Sequence, residues 1–178
     1  MNVVNSIMRS NENKHWITVN DEHLTYGDVL KEAIDIRGEL GNRLNTNEYN
    51  YVLFSDPDDI KFNISLIIAL TQSEGISICF NRNISLKKED IYLKNRQLFY
   101  KEVEKYKEQE KGLLITKTSG TTGEPKYILY SLKNKIDRAI QMRSILNITK
   151  DDRMLLTTNF SHSLGLRILF TSLLSQCK

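Results

Sequence analysis

The length and composition of this chain exclude several classes of protein. Its 178 residues suit a single domain of ordinary size, and a 40% content of hydrophobic residues is enough for a packed core. The net charge of +3, from 25 basic and 22 acidic residues, is too balanced to indicate a nucleic-acid-binding surface.

The chain begins with a pattern typical of a short amphipathic helix, which ends near residues 11–13, followed by two short strands at 16–19 and 23–25. Thr25 then has the position of a helix N-cap, with Asp28 as its capping-box partner. The apolar residues that follow recur at helical spacing and predict one buried face: Val29, Leu30, Ala33, Ile36, Leu40 and Leu44.

A strand–helix–strand pattern comes next. It consists of a strand at 51–55, a helix that Asp56 and Pro57 open and that runs through residue 71 or 72, and a strand at 76–80 after Gly75. This alternation favours a parallel sheet covered by helices. The longest apolar run, 64–70, falls well short of the ~20 residues of a membrane span.

The two cysteines have no metal-binding or redox spacing. Cys79 lies in an apolar run and is predicted to be a buried small hydrophobe, and Cys177 lies at the end of the chain. Because we expect reduced thiols and see no secretory signal, the sequence predicts a cytoplasmic protein.

Residues 86–111 alternate lysines and glutamates around a narrow apolar stripe, and predict one long charged helix. Tyrosines among lysines would also suit base stacking, but the interspersed glutamates disfavour a nucleic-acid site. Strands at 113–116 and 127–131 are then predicted to form the two arms of a hairpin.

Between these arms lies TSGTTGEPK, residues 118–126, which has the composition of a phosphate-binding loop. Glycines let the backbone approach a ligand closely, successive N–H groups can surround an anion, and hydroxyls and a lysine add donors. Its spacing is not that of a Walker A loop. Composition alone leaves an ordinary hairpin turn equally open.

The last elements are a helix at 133–148, a strand at 153–158 and a helix at 164–174 that is apolar on nearly all sides. The first of these helices is predicted to turn four residues inward, namely Ile136, Ile140, Ile145 and Leu146. His162 precedes the final helix, either as a site residue or as an N-terminal histidine satisfied by local backbone. A Ser–His hydrolase is disfavoured because the chain has no G-x-S-x-G elbow.

The nine residues TSGTTGEPK resemble the signature loop of the adenylate-forming superfamily, which includes acyl-CoA synthetases, fatty-acyl-AMP ligases and nonribosomal peptide adenylation domains. LTY at 24–26 resembles a segment near the start of these enzymes. Residues 159–166 resemble the segment in which acyl- and aryl-CoA ligases carry a histidine near the acid substrate.

The resemblance implies an α/β fold in which a partial parallel sheet is layered with helices, with a β-hairpin that carries the phosphate loop. Residues 1–178 would form a single, incomplete N-terminal portion of an AMP-binding domain. The loop would hold the β- and γ-phosphates of ATP through Thr118, Ser119, Gly120, Thr121, Thr122, Gly123 and Lys126. His162 would be the catalytic residue near the acid, which the histidine suggests is fatty, aryl or another simple carboxylic acid.

Family members join a carboxylic acid to AMP with ATP and Mg²⁺, and most then transfer the acyl group to coenzyme A or a carrier protein. This sequence departs from the family pattern at Tyr127, where a glycine is usual, and at Leu132, where a histidine is usual. The adenine-binding, ribose-binding, Mg²⁺-binding and catalytic-lysine segments lie further downstream in relatives, so no metal ligand is predicted here.

Two interpretations follow. The chain is either the N-terminal part of a ligase, completed by a missing downstream portion or a partner chain, or a non-catalytic remnant or interaction module of the same fold. In both cases we expect an isolated chain that is not competent in catalysis and that self-associates or binds a complementary chain, through its unpaired sheet edge.

Overall fold

The computed structural model describes residues 3–46, 50–80, 89–93, 96–103, 113–118 and 126–178. The first five elements in chain order are α1 (Val3–Ser10), β1 (His15–Val19), β2 (Glu22–Thr25), α2 (Tyr26–Arg43) and β3 (Asn50–Ser55). They are followed by α3 (Ile60–Leu70), β4 (Ile76–Phe80), β5 (Glu89–Leu93), β6 (Arg96–Val103), β7 (Leu113–Thr118), β8 (Lys126–Tyr130), α4 (Leu132–Ile145) and α5 (Ser163–Ser175).

The main sheet has six strands in the order β5-β6-β3-β4-β7-β8. Its centre is parallel, because β4 pairs in parallel with both β3 and β7. On one side β6 pairs antiparallel with β3 and β5, and on the other β8 pairs antiparallel with β7. The predicted α/β architecture with a parallel sheet is therefore confirmed, and β1 and β2 form a separate antiparallel pair.

Helix α2 forms as its sequence predicts. The Thr25 hydroxyl accepts a hydrogen bond from the Asp28 N–H at 3.0 Å, and the Asp28 carboxylate accepts one from the Thr25 N–H at 2.8 Å. This reciprocal capping box satisfies two donors that would otherwise lack partners at the helix start. All six apolar residues predicted to face inward are buried in the core.

Residues from the N-terminal and C-terminal parts of the chain contact one another in the core. Trp16, the chain's single tryptophan, is fully buried on β1. Its Nε1 donates a 2.7 Å hydrogen bond to the Ser172 hydroxyl on α5, and its ring stacks on Tyr26 with 4.9 Å between centroids. Cys79 and Cys177 are both buried, so the prediction that Cys79 is a buried small hydrophobe is confirmed.

The prediction of one long helix at 86–111 is wrong. The described residues of this segment form strands β5 and β6, which pair antiparallel with Leu93 opposite Arg96, and β6 continues the sheet beside β3. Strand formers such as Tyr92, Phe99 and Tyr100 favour this outcome. The charge pattern suggested a helix because it says nothing about a pairing partner some fifty residues earlier in the chain.

Helix α3 begins later than predicted, at Ile60 rather than near Pro57. The Asp56 carboxylate accepts a hydrogen bond from the Asp58 N–H at 3.0 Å, which makes a turn, and Asp59 is the actual N-cap. The helix is buried on almost every side. The chain changes direction between β3 and α3 in the loop of residues 56–59. Gly75, with φ 71°, turns the chain into β4.

The inward face predicted for α4 is also wrong in part. Ile136 packs against the core, but Ile140, Ile145 and Leu146 have exposed side chains, with 50%, 77% and 58% of their surface accessible. The buried positions of α4 are instead Leu132, Lys135 and Ala139. Helical spacing identifies the apolar residues, but the neighbouring elements decide which face is covered.

The strand predicted at 153–158 does not form. Its start has a single neighbour in the described part of the chain: the Met154 N–H donates to the Lys178 carbonyl at 2.6 Å, and the Lys178 N–H donates to the Asp152 carbonyl at 3.3 Å. This alternation is the hydrogen-bond pattern of parallel strands. Leu155 is 80% exposed, so the segment runs on as irregular chain.

Candidate functional site

The candidate site lies at the edge of the sheet where the parallel strands end. Strands β3, β4 and β7 finish at Ser55, Phe80 and Thr118, and their carboxyl ends face the same way because the strands are parallel. In open α/β sheets this edge is the usual place for ligand binding. The phosphate-loop sequence therefore follows a strand that ends at the appropriate edge.

The two ends of the loop are paired. Thr118, the last residue of β7, lies opposite Lys126, the first residue of β8, in antiparallel register. Such a pair has Cα atoms about 5 Å apart, so the backbone is closed at the base of the loop. Ser119, Gly120, Thr121, Thr122 and Gly123 lie outside the described residues, and their predicted roles remain predictions.

The segment that carries His162 reaches the same edge. Phe160 is fully buried, and its ring packs against that of Phe80, the last residue of β4, with 5.7 Å between centroids. Strand β4 is the neighbour of β7 in the sheet. The structure thus brings the His162 segment and the base of the loop to adjacent strand ends.

His162 is the N-cap residue of α5 and has an exposed side chain. Its backbone N–H donates to the Asn159 carbonyl at 3.2 Å, and its carbonyl accepts from the Gly165 N–H at 3.1 Å. The imidazole itself makes no capping hydrogen bond. The backbone is therefore held while the side chain is left open to a ligand.

Gly165 explains how α5 comes so close to this segment. A Cβ atom on Gly165 would lie 2.5 Å from the Asn159 carbonyl oxygen and 2.7 Å from that of Thr158. These are backbone atoms, so a side chain cannot be accommodated by a rotamer change. The short His162–Gly165 turn can form because Gly165 has no side chain.

Lys135 is a buried residue that sequence reasoning missed. It is 1% exposed on α4, its Nζ donates to the Ser163 hydroxyl at 2.8 Å, and the ammonium lies 3.4 Å from the centre of the Tyr130 ring. Burial, aided by the charges of Arg138 and Arg167, lowers the pKa of Lys135 to about 8. Its helical spacing from Leu132 and Ala139 was the available signal.

Two other kinds of functional feature do not occur among the described residues. No group of three or more histidine, cysteine, aspartate or glutamate side chains there is arranged to hold a metal ion. None of the helices in that part of the chain is long and apolar enough to cross a membrane.

The geometry above agrees with a comparison of the sequence with protein families. Residues 37–178, most of the chain, match the model of the AMP-binding enzymes. The chain belongs to this family. The match includes the loop, the His162 segment and every strand of the main sheet.

Several solved structures of longer proteins have the same fold. O-succinylbenzoate CoA synthetase (MenE) from Bacillus subtilis, bound to the product analogue OSB-NCoA, aligns with a TM-score of 0.72 at 16% identity, over 98% of this chain and 42% of the MenE chain. VinN aligns with a TM-score of 0.67 at 15% identity, over 98% of this chain and 54% of its own.

A second structure of the B. subtilis enzyme, in complex with ATP and magnesium, aligns with a TM-score of 0.64 at 15% identity, over 99% of this chain and 55% of that one. The chain therefore spans about half the length of these proteins. Its fold is that of the N-terminal subdomain of adenylate-forming enzymes.

Proposed function

We propose that this chain supplies the triphosphate-binding loop and part of the acid site of an ATP-dependent ligase that forms acyl adenylates. In this reaction a carboxylate oxygen attacks the α-phosphorus of ATP, and the bond from that phosphorus to the bridging oxygen breaks to release pyrophosphate. The acyl group then passes to a thiol, of coenzyme A or of a carrier protein, and AMP leaves.

The observation that carries this proposal is the convergence of the two predicted site segments. The paired residues Thr118 and Lys126 close the base of the loop at the carboxyl end of β7, and the Phe160–Phe80 contact holds the His162 segment at the carboxyl end of β4. Loop and histidine come from parts of the sequence forty residues apart, and an ordinary hairpin turn would not require their proximity.

Each residue has a role that its chemistry permits. Backbone N–H groups of Gly120 and Gly123 and the hydroxyls of Thr118, Ser119, Thr121 and Thr122 would donate to the β- and γ-phosphates. Lys126 would add a mobile positive charge beside them. Donors that are already oriented toward phosphate oxygens stabilise charge as pyrophosphate departs. His162 would donate to, and orient, the substrate carboxylate.

The donor set fits a triphosphate, because it combines glycines, hydroxyls and a lysine on a loop with a closed base. Mg²⁺, which is present with ATP in the related B. subtilis enzyme, would neutralise phosphate charge when bound. No carboxylate ligand for it is proposed from this chain. The B. subtilis enzyme also binds a CoA-containing product analogue, which supports coenzyme A as acceptor.

We also propose that the groups binding the nucleoside and completing the transfer come from polypeptide beyond these residues, in a complementary chain or a downstream portion. The comparison with solved structures supports this proposal, because this chain spans only about half the length of the proteins that share its fold.

The first test measures nucleotide binding by the chain as it is. We expect ATP and tripolyphosphate to compete for one site in isothermal titration calorimetry, and AMP and adenosine to compete poorly. Lys126→Ala should weaken ATP binding at least tenfold, whereas Lys133→Ala, which removes an exposed lysine of α4, should leave it unchanged. Equal binding of ATP and AMP would rule out a triphosphate cradle.

The second test distinguishes a ligase part from a non-catalytic remnant. The chain is mixed with a separate polypeptide that carries the downstream motifs of the family, and acid-dependent ATP–pyrophosphate exchange is measured. Exchange that is restored with the wild type and lost with Lys126→Ala supports the ligase. No exchange, together with ATP binding that is indifferent to Lys126→Ala, favours the remnant.

A further inference from the structure

The β1–β2 hairpin holds two histidines side by side, outside the proposed ligase site. The rings of His15 on β1 and His23 on β2 have centroids 4.7 Å apart and an interplanar angle of 66°. They are two of the three histidines of the chain, and the third is His162 at the N-cap of α5. The hairpin is a two-stranded sheet of its own, so the pair lies on neither of the strands that carry the phosphate loop.

A β-bulge brings the two imidazoles to the same face of the hairpin. Thr18 lies opposite His23 in the strand register. His15 lies opposite Thr25, so a step of three residues on β1 matches a step of two on β2. On a regular strand His15 and Thr18 would point to opposite faces, and the one extra residue puts them on the same face. Trp16, which lies within the bulge, is fully buried in the core.

Both imidazoles direct a ring nitrogen at one point. His15 Nε2 lies 3.1 Å and His23 Nδ1 lies 2.9 Å from the same atom, the hydroxyl oxygen of Thr18. This hydroxyl has a single proton, so it can donate to only one of the two rings and must accept from the other. The two nitrogens are therefore held together by one small side chain, which rotation about a single bond would move aside.

The histidine pair is accessible and lies beside negative charge. His23 is exposed, and His15 is half-buried. His23 also lines a groove of about 560 Å³ in which acidic residues outnumber lysines by four to two, namely Glu22, Asp28, Glu32 and Asp35 against Lys31 and Lys61. A surface of net negative charge raises the local concentration of cations. Cations in solution can therefore reach the two nitrogens.

We propose that His15 and His23 bind a divalent transition-metal ion of the Zn²⁺ type through Nε2 and Nδ1. Imidazole nitrogen is a preferred ligand of such ions. A tetrahedral Zn²⁺ with bonds of about 2.0–2.1 Å holds two nitrogens roughly 3.3 Å apart, a separation that ring centroids 4.7 Å apart allow.

On binding, the Thr18 hydroxyl moves aside and each ring keeps its proton on the other nitrogen. The protein supplies two ligands, a smaller set than the groups of three or more that the described residues lack. The remaining coordination positions are left to water, so the bound ion exchanges with solution.

The test titrates ZnCl₂ into the full chain without nucleotide and follows binding by isothermal titration calorimetry. Long-range ¹H–¹⁵N spectra report on the three imidazoles. We expect one equivalent of Zn²⁺ to bind saturably, with shifts at His15 Nε2 and His23 Nδ1 and none at His162. Mg²⁺ and Ca²⁺ should leave these signals unchanged, because hard cations prefer oxygen ligands.

His15→Ala and His23→Ala should each weaken Zn²⁺ binding at least tenfold, because each removes one of the two protein ligands. His162→Ala is the matched control, since it removes a histidine outside the hairpin, and it should bind Zn²⁺ as the wild type does. Circular dichroism and thermal unfolding confirm that each variant is folded.

Several results would overturn the proposal. Absence of saturable Zn²⁺ binding, or binding that survives either hairpin substitution, would remove the role of the two histidines. Mg²⁺ that shifts the same signals as Zn²⁺ would leave only attraction by the acidic groove. Half an equivalent of Zn²⁺ per chain with a doubled mass in sedimentation would make the metal a contact between copies. Because the assay contains no nucleotide, none of these results bears on the proposed ligase function.

Discussion

Lys135 buries its ammonium group where no carboxylate of the described residues offsets its charge. It is held by the Ser163 hydroxyl and by the face of the Tyr130 ring, so its contacts run to β8 and α5. Cation–π and neutral hydrogen-bond partners compensate only part of the cost of removing an ammonium from water. The uncompensated part of this desolvation cost lowers the pKa of Lys135.

The first prediction concerns the pH dependence of stability. Because the folded-state pKa of about 8 is below the usual value of 10.5, the unfolded chain holds more protons than the folded chain between these two pH values. The Lys135 contribution to the free energy of unfolding therefore rises with pH across this window. Between pH 7.5 and 9.5 we expect a rise of about 1 to 2 kcal/mol.

Lys135→Met removes this contribution, and the measurement is urea unfolding of both proteins at the two pH values. The difference between wild type and variant isolates Lys135 from the thiol of Cys177 and the phenol of Tyr26, whose pKa values are raised by burial. Lys133→Met, at an exposed position, should follow the wild type. Parallel behaviour of wild type and Lys135→Met would contradict the prediction.

The sequence predicts apolar core residues well and polar ones poorly. The buried stripe of α2, from Val29 to Leu44, follows from spacing because apolar side chains have few alternatives to burial. Lys135 occupies the same kind of helical position in α4, yet lysine is usually exposed. Its burial depends on Tyr130 and Ser163, which only the folded chain brings near it.

At the scale of elements, α5 depends on its close approach to the segment before it. The first turn of the helix lies against the carbonyl groups of Thr158 and Asn159, which leaves no room for a Cβ atom at Gly165. The same turn fixes the backbone on both sides of His162. The turn at Gly165 thus determines both how α5 packs and how the backbone of His162 is oriented.

The second prediction tests this approach with Gly165→Ala. Because the clashing atoms are backbone, the helix must shift, and we expect a loss of about 1–3 kcal/mol in the free energy of unfolding. Gly38→Ala is the matched control, since a Cβ atom there meets nothing within 4 Å in the middle of α2. That control should stabilise the protein by about 0.5–1 kcal/mol.

Urea unfolding with tryptophan fluorescence is suited to this comparison, because Trp16 is bonded to Ser172 on α5 and reports on that helix. If Gly165→Ala is as stable as the wild type, the approach of α5 to the 158–159 backbone is looser than the distances indicate.

Elements defined by local signals are the ones that the sequence predicts. The capping box of Thr25 and Asp28 determines the start of α2 from four residues of sequence. In contrast, β5 and β6 form because β6 pairs with β3. Within the described residues, the predicted strand 153–158 has backbone pairing only at its start, with Lys178. Pairing over long sequence distances has no local signature, so the charge pattern of residues 86–111 predicts a helix where strands form.

At the scale of the whole molecule, the apolar surface is unevenly distributed. Ile140 and Ile145 are exposed on α4 and Leu146 at its C-cap, and Leu164 in the first turn of α5 and Leu155 in the segment before it are also exposed. Fewer such residues are exposed among the described residues of the N-terminal half, where Val3 and Ile34 are 48% and 45% exposed while α1 packs on α5 and α2 on α3. Association is therefore expected through the C-terminal half of the molecule.

The third prediction is that the chain self-associates through this surface. The weight-average mass in sedimentation or light scattering should rise with protein concentration, and Ile145→Lys combined with Leu146→Lys should reduce the rise. Val3→Lys, which changes an exposed apolar residue on α1, should have no effect. A wild-type protein that stays monomeric at high concentration would contradict the prediction.

The sequence predicts the loop and the His162 segment of the candidate site separately. It does not predict that the fold brings them close together. TSGTTGEPK and His162 each carry chemical information in their residues. That Phe160 packs on Phe80 and so brings them to adjacent strand ends is a property of the sheet order. Residue roles can be read from composition, whereas their proximity depends on the packing of elements that sequence patterns do not connect.

The reactivity of the two buried cysteines can report on local opening of the fold. Cys79 lies on the central strand β4, and Cys177 follows the left-handed residue Gln176 at the end of α5, with its thiol near the Ser172 carbonyl. A thiol reagent can modify Cys79 only when the sheet comes apart, but Cys177 whenever the last turn detaches. The ratio of their alkylation rates would separate fraying of the chain end from global unfolding.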